Sequence, residues 1–253
     1  MDAVSLEALQ QLNLPVAEQR VIDKSGHVNG SRLEALREAA LGVGARGGLQ
    51  SESVVINAAL ELTKRNLDTV YDFTPLMIKG RVVPAVLTET RDIYTQGDNV
   101  NLRLAGVTYK IDSQPRFASR APNWREYLTM NFDGGTLPSS VLLPRTPEEQ
   151  EIWSKEVAAG WKQGIRQADE IFSTNRNRLN RDYVGMCRYH VLALKNMVTI
   201  PVVATQAMPI NTTGNTMSID ETLLRITALP AFNKDLKGWL PLGSENDTAG
   251  STK

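Results

Sequence analysis

Glycines carry the first chemical possibility in this chain. Gly42-Val43-Gly44-Ala45-Arg46-Gly47 satisfies G-x-G-x-x-G, a spacing that lets backbone N–H groups at a helix N-terminus meet a pyrophosphate. That chemistry needs a strand before the motif and a helix opening at it. Here a helical pattern precedes it, and no acidic residue follows on a second strand. Two other readings fit the same residues. Gly44 and Gly48, four apart, would let another element approach a helix backbone closely, or the cluster would break one helix into two. A nucleotide-binding enzyme using Gly42–Gly47 stands only as an alternative.

Carboxylates cluster at Glu148, Glu149 and Glu151, and at Asp220-Glu221. The first group lies on an opening helical turn, where negative charge suits the macrodipole. Adjacent strand residues face opposite sides, so Asp220 and Glu221 are poorly placed as an acid/base pair. His190 sits among Met186, Leu192 and Leu194 and reads as a packed or surface imidazole. Cys187 reads as a small buried hydrophobe. G-x-S-x-G, H-E-x-x-H and a P-loop are absent, and no catalytic, cofactor or metal residue is assigned. Arg176, Arg178, Arg181 and Arg188 form the one local charge bias. Arginine makes forked contacts to carboxylate and phosphate, so this stretch faces an acidic partner, lipid headgroups or DNA, or else is a solvated face. A DNA-contacting accessory protein using Arg176–Arg188 is the second alternative.

Composition bounds these possibilities. The 253 residues carry 28 Lys+Arg against 28 Asp+Glu, so bulk nucleic-acid binding, which needs excess cations to displace counterions, is disfavoured. One cysteine allows no intrachain disulfide, and with two histidines it cannot complete a Cys/His zinc site. No apolar run approaches the roughly 20 residues that span a bilayer. The start shows neither a basic n-region nor an apolar h-region.

The elements that must position these residues follow from periodicity. Ser31 and Glu34 have capping-box spacing, with Leu33, Leu36, Ala40 and Val43 following at helical intervals. A second helical run goes from Val54 to Tyr71. Strand-like alternation follows Arg81, and Ala105-Gly106 reads as a tight turn between two strands. Thr146-Pro147-Glu148-Glu149 is a second capping signal with proline at N1. Trp153, Val157, Trp161, Ile165, Ala168 and Phe172 then put two tryptophans on one helical face, which must pack against something large. Beside them, Gly160 and Gly164 form a smooth stripe, favouring an intrachain helix crossing over a subunit surface. Helical character resumes from Leu179 to Leu194. Val198–Ala204 and Met217–Leu229 read as a strand pair around Asn211–Asn215. The expected fold is α+β, with long helices packed against short antiparallel strands and hairpins. One domain is expected over residues 28–242, between a flexible arm (1–27) and a disordered tail (243–253).

Several segments together resemble the DotC family. They are Asn66–Phe73, Val83–Leu87, Trp124–Leu128, Glu151-Ile152-Trp153, Gly160–Ile165 and Leu224–Ala231. That family includes the DotC lipoprotein of Dot/Icm type IVB secretion systems and the TraI protein of IncI-type conjugative plasmids. The resemblance implies a non-enzymatic periplasmic subunit of an outer-membrane core complex. It implies assembly with a DotD-like lipoprotein, a DotH-like outer-membrane subunit and copies of itself in a ring. It also implies a lipid anchor, for which this sequence shows no acylated cysteine at its start. The family brings no catalytic residues, and Trp161, Arg176, Arg178, Arg181 and Arg188 are the expected interface residues.

Overall fold

The computed structural model describes residues 5–13, 30–96, 102–133 and 138–239. Most of the expected arm (1–27) and all of the expected tail (243–253) lie outside the described residues. Two compact units emerge, each built from two stretches of chain: residues 1–70 with 124–178, and residues 71–123 with 179–253.

The first unit is helical. Helix α1 spans Leu6–Gln10, α2 Gly30–Val70, α3 Trp124–Leu128, and α4 begins at Pro147 and runs to Leu194, so its residues from 179 onward belong to the second unit. Helix α4 starts as its sequence predicts. Glu149 N–H donates to the Thr146 hydroxyl at 3.2 Å, and the Glu149 carboxylate accepts the Arg145 N–H at 2.9 Å. Helix α2 begins at Gly30, which places Ser31 inside its first turn. Contrary to the break expected at Gly42–Gly48, α2 is one helix. The helix also runs unbroken through residues 173–178, where α4 was expected to lapse.

Six buried residues form this unit's core: Leu9, Leu36, Ala40, Val43, Trp153 and Val157. Trp153 is wholly buried, and its indole N–H donates to the Leu9 carbonyl at 3.0 Å. Gln150 Nε2 donates to the Gln10 carbonyl at 2.6 Å, and Gln10 Nε2 donates to the Ser154 carbonyl at 3.2 Å. These bonds fasten α1 to α4, so residues 5–13 dock although the segment is polar in composition. Trp153→Phe keeps an aromatic ring at the site and strips the indole donor. The Leu9 carbonyl is then left buried and unpaired, at about 1–2 kcal/mol. Amide exchange of residues 5–11 is expected to accelerate while that of α2 stays unchanged.

The second unit holds three antiparallel pairs: β1 (Val82–Val83) with β4 (Arg116–Phe117), β2 (Val86–Gln96) with β3 (Leu102–Ser113), and β5 (Val202–Thr213) with β6 (Thr216–Ala228). Ala105-Gly106 is not a turn. It lies inside β3, with Ala105 opposite Ile93 and Val107 opposite Arg91. Asp92, which falls between those two pairs, takes a φ of +50°, an irregularity that the small residue across the ladder accommodates. Strands β5 and β6 do form a hairpin around Gly214-Asn215, where Gly214 has a φ of +58°. Its first strand starts at Val202, because Val198 instead bridges to Phe232.

The second unit's core gathers Ala85, Leu87, Tyr189, Leu192 and Val198. The last turns of α4 therefore pack on the β2–β3 pair. Gly185 permits that approach, since a β-carbon there would lie 3.1 Å from both the backbone nitrogen and the carbonyl oxygen of Leu87. Tyr189 donates its hydroxyl to the Thr199 carbonyl at 3.1 Å, and burial pushes its pKa up to about 12. The expected α+β architecture, long helices with antiparallel hairpins, is present.

Candidate functional site

The glycine motif is occupied by the protein itself. A β-carbon on Gly44 or Gly48 would collide with the carbonyl groups of Val157 and Trp161, lying 2.9 and 3.0 Å from their carbonyl carbons. Reciprocally, β-carbons on Gly160 and Gly164 would lie 2.9 Å from the carbonyl carbons of Leu41 and Ala45. The two glycine pairs thus press α2 and α4 together backbone against backbone. Gly42–Gly47 lies inside α2, with helix on both sides of it, so the nucleotide-binding alternative is overturned. The Gly160/Gly164 stripe serves the intrachain crossing, as favoured from sequence. Trp161 lies at the same crossing, half-buried, its ring against Gly47.

Arg176 and Arg178 belong to the first unit, Arg181 and Arg188 to the second. The Arg178 guanidinium lies 5.0 Å from the Tyr127 ring centroid. Arg181 pairs with its neighbour Asp182 at 2.7 Å. Arg188 donates to the Leu87 carbonyl at 2.8 Å and contacts Glu89 at 3.2 Å. Arg176 is exposed. Glu89 also accepts from Arg91 at 2.6 Å, and the Arg91 hydrogen bond leads in holding its carboxyl below the usual range, with Arg188 adding to it. Arg188 therefore ties α4 to β2 in the second unit, Arg181 pairs with its own helix neighbour, and Arg178 rests on an aromatic ring of the first unit.

Other candidates resolve locally. His190 Nε2 lies 2.7 Å from the Leu76 carbonyl. Cys187 is half-buried, and desolvation raises its thiol pKa, which lowers the thiolate fraction that a nucleophile needs. Glu149 is held by Arg32, with Nε at 2.9 Å and Nη2 at 3.1 Å. Asp68 accepts from Arg125 at 2.6 Å and from the Trp124 indole at 2.7 Å, and the Arg125 bond leads in lowering its pKa. Among the described residues no three His, Cys, Asp or Glu side chains gather where they could hold a metal ion. No helix among them is long and apolar enough to cross a membrane.

The β5–β6 pair was expected from sequence; what sequence reasoning missed is how much apolar surface it leaves exposed. Among the described residues each ribbon pairs only with itself, and a lone two-stranded hairpin is marginal in water. Ile210 and Ile219 face each other across the ladder and are 68% and 66% exposed, with Met217 at 61%. No charged residue occurs between Lys195 and Asp220. That charge-free stretch was visible in the sequence and is its best local signal. The β2–β3 pair repeats the theme, with Tyr94 opposite Leu104 and both largely exposed.

Fold and surface together define an α+β helix-and-ribbon protein whose polar side chains mostly brace its own framework and whose ribbons present apolar residues to solvent. The chain belongs to the T4SS_TraI family, described as type IV secretory system, conjugal DNA-protein transfer, whose model matches residues 30–241. No curated protein matches the sequence.

Proposed function

We propose that this protein is a non-enzymatic structural subunit of the outer-membrane core complex of a type IVB secretion or IncI-type conjugation system, of the DotC kind. It scaffolds the conduit for DNA or protein export from the periplasmic side, held at the outer membrane by a lipid anchor. Its partners are a DotD-like lipoprotein, a DotH-like outer-membrane subunit and further copies of itself in a ring.

The observation that carries this reading is the pair of long ribbons exposing Ile210, Met217, Ile219, Tyr94 and Leu104. Ribbons of this kind gain stability when another chain covers them, and the ordering cost is met on assembly. Trp161 and Arg176, Arg178, Arg181 and Arg188 remain proposed contributors, with Arg176, Arg178 and Arg181 exposed.

Deletion of the gene is expected to abolish plasmid transfer and to remove the large ring from purified envelopes. Rings that assemble normally without the subunit would overturn the proposal. A Met217→Asp, Ile219→Asp double variant places charge on the ribbon where nothing in the chain is buried. It is expected to leave thermal unfolding of the isolated protein near wild type and to lower recovery of the ring about tenfold, as loss of an apolar hot spot does.

A further inference from the structure

We propose that a groove in the second unit, separate from the ribbon tip, binds an acidic segment of a partner protein. The groove has a volume of about 500 Å³ and is lined by Arg81, Phe117, Ala118, Ser119, Thr222 and Leu224. Its floor is made by two stretches of chain that the β1–β4 ladder and the Ala118 N–H to Arg81 carbonyl bond, at 2.9 Å, hold side by side.

Charge is the argument for the occupant. The first stretch carries Lys79 and Arg81 and has no carboxylate between Asp72 and Glu89. The second carries Arg116 and Arg120 and has none between Asp112 and Glu126. Arg120 is engaged within the protein, whereas among the described residues no ion pair neutralises Lys79, Arg81 or Arg116. Asp220 and Glu221 precede Thr222 on β6; Glu221, like Arg120, is engaged within the protein, so Lys79, Arg81 and Arg116 stand against Asp220 and the balance stays positive. Arg81 is the cation on the groove's own lining, with Lys79 close to it in sequence and Arg116 next to the lining residue Phe117, and arginine offers an anion a forked, geometrically specific contact.

The surroundings select a peptide among anionic partners. Phe117, 39% exposed, and Leu224 give the groove an apolar wall suited to one side chain, and Ser119 and Thr222 add hydroxyls. The outer edge of β6 beside it pairs with no other strand among the described residues, so an extended segment can add main-chain hydrogen bonds. Arg81 is held in position by a tight turn. Lys79 and Gly80 have φ of +50° and +68°, and Arg81 N–H returns to the Ile78 carbonyl at 3.2 Å. A nucleic acid would require a longer basic track than four cations supply. A bilayer would require a broader apolar face.

The groove does not depend on the core-complex role, because it can be tested on the isolated chain. Fluorescence anisotropy of a labelled peptide alternating glutamate and valine is measured at low salt against the intact protein. Binding is expected for this peptide and not for its lysine–valine counterpart. An Arg81→Glu, Arg116→Glu double variant is expected to bind about tenfold more weakly, as is Phe117→Ser, whereas Arg65→Glu, an exposed position on α2, binds as wild type. Circular dichroism melts establish that each variant folds, and Arg81→Gln replaces the double variant if charge reversal does not. Absence of acidic-peptide binding, equal binding of the lysine peptide, or binding that survives the double variant overturns the inference. So does a stronger response to oligothymidylate or to phosphatidylglycerol vesicles than to the acidic peptide.

Discussion

Gly160→Ala is expected to destabilise the helical unit by about 3 kcal/mol, although alanine is the better helix former by about 1 kcal/mol. Its new methyl group would meet the Leu41 carbonyl, with the carbonyl carbon at 2.9 Å and the Ala45 nitrogen also at 2.9 Å. Both are backbone atoms of a buried helix and cannot swing aside as a side-chain tip can. Relief requires α2 and α4 to separate, which opens space around Val157, Ala40 and Val43, all buried. Gly164→Ala acts on the same crossing, so the double variant is expected to cost less than the two single costs added together. Gly42→Ala is the matched control. Its β-carbon would find only the Arg46 side chain, at 4.0 Å, so it is expected to raise stability by up to about 1 kcal/mol. Urea unfolding measures all four. Equal midpoints for the Gly160 and Gly42 variants would remove the crossing from the account of this fold.

Arg32→Ala is expected to cost about 3–5 kcal/mol, the range for breaking a buried pair by removing one partner. Glu149 is 3% exposed and would be left with the Arg145 N–H and the Arg145 charge. Arg32 also donates to the Val141 carbonyl at 2.8 Å and the Leu143 carbonyl at 3.3 Å, so the variant additionally loosens the turn that precedes α4. Arg32→Lys keeps the charge and loses the fork, which places it between wild type and alanine. An Arg32→Leu, Glu149→Leu double variant is expected to recover much of the loss, because no charge is then stranded.

The same pair gives a pH dependence with a definite sign. Burial acts to raise the Glu149 pKa, but the Arg32 hydrogen bond and the Arg145 N–H outweigh it and the net shift is downward. Below the ordinary glutamate value of 4.5 the unfolded chain therefore binds a proton that the folded chain still resists. The pair's contribution is complete above that value and fades as pH falls through the lower, folded value. Urea midpoints measured from neutral pH into this acid range are expected to drop for wild type and to flatten for Glu149→Gln. Asp68, Glu89 and Asp112 are shifted the same way. They are solvated and screened, so each adds little.

How legible these features were in the sequence follows their range. The start of α4 was readable because Thr146, Pro147 and Glu149 act within one turn, and its buried face because Trp153, Val157 and Ala168 recur at helical spacing. Continuity of α2 was not readable. Four glycines within seven residues argue against a helix locally, and only a backbone more than a hundred residues away explains them. The misplaced turn at Ala105-Gly106 has a similar origin. Its partner, Arg91-Asp92-Ile93, lies where the ribbon is largely open to solvent, so no single apolar face imposes a period of two there. Arg32 and Glu149 stand 117 residues apart and leave no local trace, and the same holds for Arg81, Phe117 and Leu224. Asp68 with Trp124 and Arg125 is one more such meeting.

The charge-free β5 strand also has a bearing on how the protein must be handled by the cell that makes it. Edge strands in monomeric proteins are normally guarded by lysine or another charge, which makes sideways addition of a further strand unfavourable. Strand β5 has no such guard along its twelve residues, and its proline at position 209 interrupts pairing at only one point. A subunit released without its neighbours would therefore offer an open template for end-to-end growth. Overexpression of this chain alone is expected to favour its precipitation, measured as the fraction lost on sedimentation.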